Sequence, residues 1–539
     1  MMLPSATSIL PLGQPAYAPW RLALITLMQF REGLSDRQAT EAVRARIDWK
    51  YLLALDLADP GFDHSVLCEF RARLLEHQAG ERLLACVLDA AHEAGLLKTR
   101  GRQRTDSTHV LAAVRDLNRI ELLAETLRAT LNAISAVAAD WLQRLAGPEW
   151  HKRYDRRVEE ARLPRSGPRR DAYVAQVGAD GFRLLDVLAA PDALPVAASL
   201  PAVAVLRRVW ERHFERLDDD LGLGAPKVRL RAVRGRGPGD RIESPYDVDA
   251  RFRTKSGTDW TGTMVHLTET CDAGAPRLLL HADTTPANVH EAKRTEPIHA
   301  ALVAKGLPPS EHLVDAAYVS AEHLVTARER HGIELFGPAR PVQNWQTKEK
   351  NAFLITDFAV DWERRLARCP KGRESTGWGE YRDRASGRPY VRANFSPADC
   401  QPCLARARCT RTRSRRLTLH PRDRYEAITA TRAQLASAAG QRIYAQRQGI
   451  EGTISQAVRA FGLRQTRYRG LAKTGLQSVA TAAAINLDRL AAWLAGRPLE
   501  PTRTSRFAAL ATSHCLRQQC PEGWRTSGPT VSPVCYRMT

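Results

Sequence analysis

The stretch that most constrains this chain is Tyr444-Ala-Gln-Arg447-Gln-Gly-Ile-Glu451-Gly-Thr-Ile-Ser455. At about 100° per residue, Tyr444, Arg447, Glu451 and Ser455 share one narrow stripe of a helix. A stripe turned towards a core would be apolar. This one carries a phenol, a guanidinium, a carboxylate and a hydroxyl. A carboxylate one turn from an arginine is held ionised and aimed, which suits a metal ligand or a phosphate-facing site. Taken alone, the stripe reads more simply as a solvated face with one ordinary i, i+4 ion pair. Two aspartates upstream change its weight. Asp106 lies among β-branched and small residues in Arg104-Thr-Asp106-Ser-Thr-His-Val, and Asp315 closes the short apolar run Glu311-His-Leu-Val-Asp315. Asp106, Asp315 and Glu451 are separated by 208 and 135 residues. Only a fold that sets two strand ends beside a helix can unite them, and united they offer three carboxylates to divalent metal.

The charge balance points the same way. With 80 Lys and Arg against 59 Asp and Glu, the 539-residue chain has a net charge of +21 and a pI near 9.9. Such an excess calls for a polyanionic partner, nucleic acid before an anionic membrane. No run of 18 apolar residues is present, so a membrane span is not expected. Met1 to Trp20 lacks the basic and apolar regions of an export signal. Ten cysteines in this length are no secreted disulfide framework; in a reducing cytoplasm they are free thiols or metal ligands.

In chain order, residues 1–98 read as a helical N-terminal domain, with Ser35-Asp-Arg-Gln38 as a capping box and Asp59-Pro60 as a break. A weak strand around Gln103–Ser107 follows. Residues 112–240 read as a helical insertion, with Leu122, Leu123, Leu127 and Leu131 at helical spacing. Strands return at Asp247–Arg253, Trp260–Thr268 and Arg277–His281, with Ser256-Gly257 as a turn. A βαβ unit then runs from a strand ending in Asp315, through a helix from Ser320 to Arg330, to a strand at Ile333–Phe336. Residues 337–422 interrupt with Cys369, Cys400, Cys403 and Cys409. Four thiols, two at C-x-x-C spacing, can supply a tetrahedral zinc site, or can be free and buried. Residues 423–500 read as helical. Arg464, Arg467, Arg469 and Lys473 cluster about Tyr468 there, a pattern suited to backbone phosphates or to a solvated face. The tail from 501 to 539 has no assigned structure.

These residues resemble a known family, the DDE transposases of bacterial insertion sequences. In its insertion-sequence four and five groups the last acid sits in a Tyr-x-x-Arg-x-x-x-Glu-x-x-x-x-x-x-Lys signature. Tyr444, Arg447 and Glu451 match it; the lysine position is Val458, with Arg459 next to it. Asn118-Arg119-Ile-Glu-Leu and Arg467-Tyr-Arg-Gly-Leu-Ala-Lys473 resemble the branch known as family eleven-eighty-two. The resemblance implies an α/β fold: a ribonuclease H-like catalytic core over 99–111, 241–336 and 423–500, with the helical domain, the helical insertion and the cysteine-rich insertion attached. It implies Asp106, Asp315 and Glu451 as catalytic ligands of two Mg²⁺ or Mn²⁺ ions. It implies DNA contacts from Tyr444, Arg447, Arg459, Arg464, Arg467 and Lys473, and a structural Zn²⁺ on the four cysteines. Double-stranded DNA (terminal inverted repeats and target) is the expected partner, with a homo-oligomer on DNA and a cytoplasmic, nucleoid-associated location. In the family, water cleaves at the element end and the freed 3′-hydroxyl attacks target DNA.

Asp283 rivals Asp315 because it also closes an apolar run; Asp247 and Asp249 read more simply as strand or turn residues. No Walker-type glycine loop indicates ATP, and no Gly-x-Ser-x-Gly elbow indicates a serine hydrolase. Two other functions stay open on the same scaffold: a catalytically dead or domesticated DNA-binding protein, and a metal-dependent nuclease without strand transfer.

Overall fold

The computed structural model describes residues 17–158, 163–164, 166–217, 227–232, 241–255, 257–339 and 345–497. Ser256 and the tail with Cys515, Cys520 and Cys535 lie outside the described residues. Met1–Ala491 form one compact unit and Ala492–Thr539 a second; the sheet, the apolar cores and the acids all lie in the first.

The central element is the strand Gln103–Leu111. It runs further than its sequence suggests because Val110 and Thr108 are buried within it, and alternate residues must leave the pleat on opposite faces. One edge pairs antiparallel with Thr258–Thr270 along its whole length. The other pairs in parallel with Glu311–Val314, which pairs in parallel with Glu334–Phe336. Thr258–Thr270 carries Arg251–Lys255 and then Leu279–Pro286 on its far edge. Three antiparallel strands followed by two parallel ones, with the chain's first strand in the middle, fit a ribonuclease H-like core in a mixed α/β chain. The crossover from Glu311–Val314 to Glu334–Phe336 is the helix Ala321–His331, capped by Ser320 and stopped by Gly332 in the left-handed region (φ 62°), as the βαβ pattern predicts.

A single apolar cluster joins this sheet to the flanking helices, from Leu22, Ile25 and Phe30 near the N-terminus to Val479, Ala483 and Ile485 near the end. The Ser35 capping box forms, with Gln38 closing it. Residues between the first two core strands build a separate core of helices around Trp150, Trp210 and Phe214. There the leucines at helical spacing open a run of three helices, Arg119–Val137, Ala139–Leu145 and Pro148–Tyr154, and a later helix spans Pro201–His213. A third core, around Phe358, Phe395 and Leu417, holds small sheets and the four cysteines.

The helical stripe needs a correction. Tyr444 ends near the close of the helix Ala438–Ala445, a 3₁₀ turn spans Gln446–Gln448, and Glu451 starts a second helix, Gly449–Phe461. The cause lies in the sheet. Arg104 donates to the Gln446 carbonyl of this turn and packs so closely that a Cβ at Gly449 would stand 2.1 Å from its Nη1. Tightening the turn lets the chain pass over the guanidinium.

Candidate active site

The site is assembled by strand register. The parallel pair matches Arg104 to Leu313 and Thr105 to Val314; one step beyond the last matched pair stand Asp106 and Asp315. Parallel strands release such residues at the same sheet end, where clefts form. Asp106 is held twice, accepting from the N–H of Ser107 at 2.7 Å and from Arg447 Nη1 at 3.0 Å. Asp315 Oδ1 accepts from the N–H of Ala317 at 3.1 Å, in a turn closed by Tyr318 N–H on the Asp315 carbonyl. Arg447 also donates to Glu451 at 3.0 Å, so one guanidinium bridges the strand acid and the helix acid. Glu451 occupies the first helical turn, where the helix dipole favours a carboxylate, and its side chain is 62% exposed. Tyr444 leans on the site from behind, its ring 6.3 Å from Phe336 and 6.0 Å from the Arg447 guanidinium.

The charges are unevenly compensated. Burial pushes the Asp106 carboxyl above its ordinary pKa; the Ser107 N–H and Arg447 pull it down, while Asp315 adds to the rise. Burial works against the Arg447 charge, yet Asp106, Tyr444 and Glu451 together hold its pKa above the usual value. A buried carboxylate raised by a like charge is a site short of positive charge. All three acids present oxygen donors, the type hard divalent ions take. Among the described residues, no three Asp, Glu, His or Cys side chains stand close enough to hold an ion as placed. The donor chemistry fits such an ion, and Glu451 is the exposed member of the three, paired as placed with Arg447.

The rival acids are accounted for. Asp283 is paired with Arg294 at 2.6 Å and 3.0 Å. Asp247 closes its own turn by accepting from Asp249 and Ala250 N–H groups. Asp249 caps the helix Leu471–Leu494, accepting from Leu471 N–H at 2.9 Å. Of the basic residues, Arg459 and Lys473 are exposed, and Arg464 donates to Thr108 on the central strand at 3.2 Å. Arg467 is engaged within the fold, over Phe30 and bonded to the Leu34 carbonyl at 2.5 Å. Tyr468 lies under Arg71, and Arg469 over Tyr246.

One group invisible in the sequence pattern holds the Glu451 helix to the sheet. Glu269, fully buried, accepts from Arg104 at 2.7 Å, from Arg489 at 2.9 Å and from Thr453 Oγ1 at 2.6 Å. No periodicity marks these residues; only the pairing of Arg104 with Glu269 across the strands brings them together.

The four cysteines border a common cavity, though as placed they are not close enough together to hold an ion. Cys369, Cys400, Cys403 and Cys409 line one small cavity of about 40 Å³. Burial pushes the Cys409 thiol up to about 11, with Arg415 opposing and the other three cysteines adding to the rise.

Residues 368–491 match the family model described as Transposase DDE domain, and residues 4–73 match that described as Transposase domain (DUF772). These domains support a DNA transposase of the insertion-sequence DDE kind. The first match takes in the cysteine set, Tyr444, Arg447 and Glu451, and stops short of Asp106 and Asp315. No curated protein matches the chain significantly. Among the described residues no helix is long and apolar enough to cross a membrane.

Proposed function

We propose that this chain is a transposase of the insertion-sequence family eleven-eighty-two branch, which cuts DNA at the element's ends and joins the freed 3′-hydroxyl to target DNA. The observation that carries the reading is Arg447, which ties Asp106 on the central strand to Glu451 on the helix, beside Asp315. Asp106, Asp315 and Glu451 would hold divalent magnesium or manganese. Two such ions, when bound, activate the attacking oxygen and stabilise the leaving one. The chain's own residues do the rest. Ser107 and the strand fix Asp106. Arg447, once relieved of Glu451, is a cation free to meet the scissile phosphate. Tyr444 backs Arg447, and the Glu269 cluster sets the height of the helix. Arg459, Arg464 and Lys473 supply phosphate contacts; Arg467, spent on the N-terminal helices, contributes less.

The cysteine cavity takes a structural Zn²⁺, and the segments 112–240 and 337–422 are insertions in the ribonuclease H-like core. The protein acts as a homo-oligomer on paired terminal repeats, in the bacterial cytoplasm. The test is cleavage of terminal-repeat DNA with magnesium by three variants, Asp106→Ala, Asp315→Ala and Glu451→Ala. Each should lose cleavage while keeping duplex binding, because phosphate contacts lie on other residues. A variant that still cuts removes its residue from the site; cutting by all three ends the reading.

A further inference from the structure

A second basic surface lies outside the acid cluster. The three-stranded sheet Gly377–Arg382, Pro389–Asn394 and Arg416–Leu419 faces the helices Ala321–His331 and Arg422–Ala436 across a cleft of about 460 Å³. Arg388, Arg392 and Arg424 line it together with His420, and the first turn of the helix that follows Asp315 opens onto it.

The positive groups there are poorly matched. Arg388 makes no ion pair among the described residues, and Arg424 reaches only Glu322, at 3.8 Å. Arg392 lies 5.2 Å over both Tyr381 and Tyr390, and its buried Nε has no partner. Those two rings stack at 5.6 Å, and Tyr381 is exposed. Of the two acids lining the cleft, Asp383 is occupied by its own turn, accepting from Ser386 Oγ at 2.7 Å and from the Ala385 and Ser386 N–H groups. Glu322 is the acid that pairs with Arg424, and Asp383 feels Arg388 without an ion pair to it. His420 registers the local potential: its partial burial, then Arg424, Arg432 and Arg388, discourage it from taking a proton, with Asp423 opposing them.

We infer that this cleft is a backbone-phosphate site for the DNA flanking the acid cluster, with Arg388 and Arg424 on the phosphates and Tyr390, stacked on Tyr381, as its apolar wall. A groove with unmatched guanidinium groups beside an exposed aromatic face is how a strand is tracked without regard to sequence. The helix Ala321–His331 joins the two places, since its chain leaves the turn at Asp315 and enters the cleft at Ser320. The inference rests on the DNA-processing role proposed above.

Fluorescence anisotropy of a labelled duplex across a salt series tests it. Each lost phosphate contact lowers the slope of log affinity against log salt by about 0.9. Arg388→Ala with Arg424→Ala should therefore flatten the slope by about two. Arg388→Lys with Arg424→Lys should keep it. Arg183→Ala with Arg207→Ala, removing two exposed arginines from the helical segment, should leave it unchanged. An unaltered slope in the first variant, or an equal fall in the Arg183 and Arg207 variant, overturns the site. If the unaltered protein binds no duplex, the proposed function itself fails, and the cleft with it.

Discussion

At the scale of single residues, the imidazoles beneath the central strand carry a consequence for acid stability. His312 Nε2 meets Thr105 Oγ1 at 2.6 Å, and its Nδ1 meets His299 Nε2 at 2.8 Å. Both rings are buried, which drives their pKa values down to about 3 for His312 and about 2 for His299, with the charge of His312 adding to the fall at His299. The sign follows directly. Each ring stays neutral in the folded chain and takes a proton near pH 6.5 once unfolded. The stability they contribute is present above about 6.5 and is lost as pH falls below it, by about 1.4 kcal/mol per pH unit for each proton. Urea unfolding between pH 7.5 and 4 should show this decline. Replacing both with leucine (His299→Leu, His312→Leu) should make it shallower, even if the variant is weaker at pH 7.5; an equally steep decline would exclude the pair as its source.

At the scale of elements, the Glu451 helix depends on a glycine. A side chain at Gly449 would meet the Arg104 guanidinium, which Glu269 and the Gln446 carbonyl hold in place and which cannot give way. Gly449→Ala should cost about 1–3 kcal/mol as an overpacking change. It should reduce DNA cleavage beyond what that loss explains, because Glu451 lies only two residues from the clash. Cleavage equal to the unaltered protein after correction for folded fraction would show that the helix position is uncritical. How much of this was legible beforehand varies with range. The βαβ unit around Asp315 could be read from its apolar run, its serine cap and Gly332, all local signals. The break at Gln446–Gln448 could not, since a 3₁₀ turn barely disturbs a stripe sampled at Tyr444, Arg447 and Glu451. Nor could the cluster on Glu269, whose members meet only through strand pairing and helix docking. The strand around Asp106 could be read from its β-branched neighbours, yet its continuation to Leu111 depends on a partner that arrives far along the chain.

At the scale of the whole molecule, the described residues build separate apolar clusters in the sheet, the helical segment and the cysteine-rich segment, and their separation implies unfolding in more than one step. The core around Phe358 and Leu417 is small, with Cys369, Cys400 and Cys409 packed against it, so a bound zinc would supply much of its stability. Calorimetry should resolve more than one transition. A chelator should lower one of them while leaving the transition of the sheet in place; one cooperative transition unaffected by chelator would argue against both the zinc and the independence of that core. The sheet order has a further consequence, for synthesis. The strand at Gln103–Leu111 is made first but belongs in the middle, and its antiparallel neighbour begins only at Thr258. At ordinary translation rates it waits roughly ten seconds with both edges open, while the helices that follow can bury their own core. Glu451 emerges later still. Under the proposed function, a fragment released by a ribosome stalled before that point would lack its third acid and with it the ability to cut DNA.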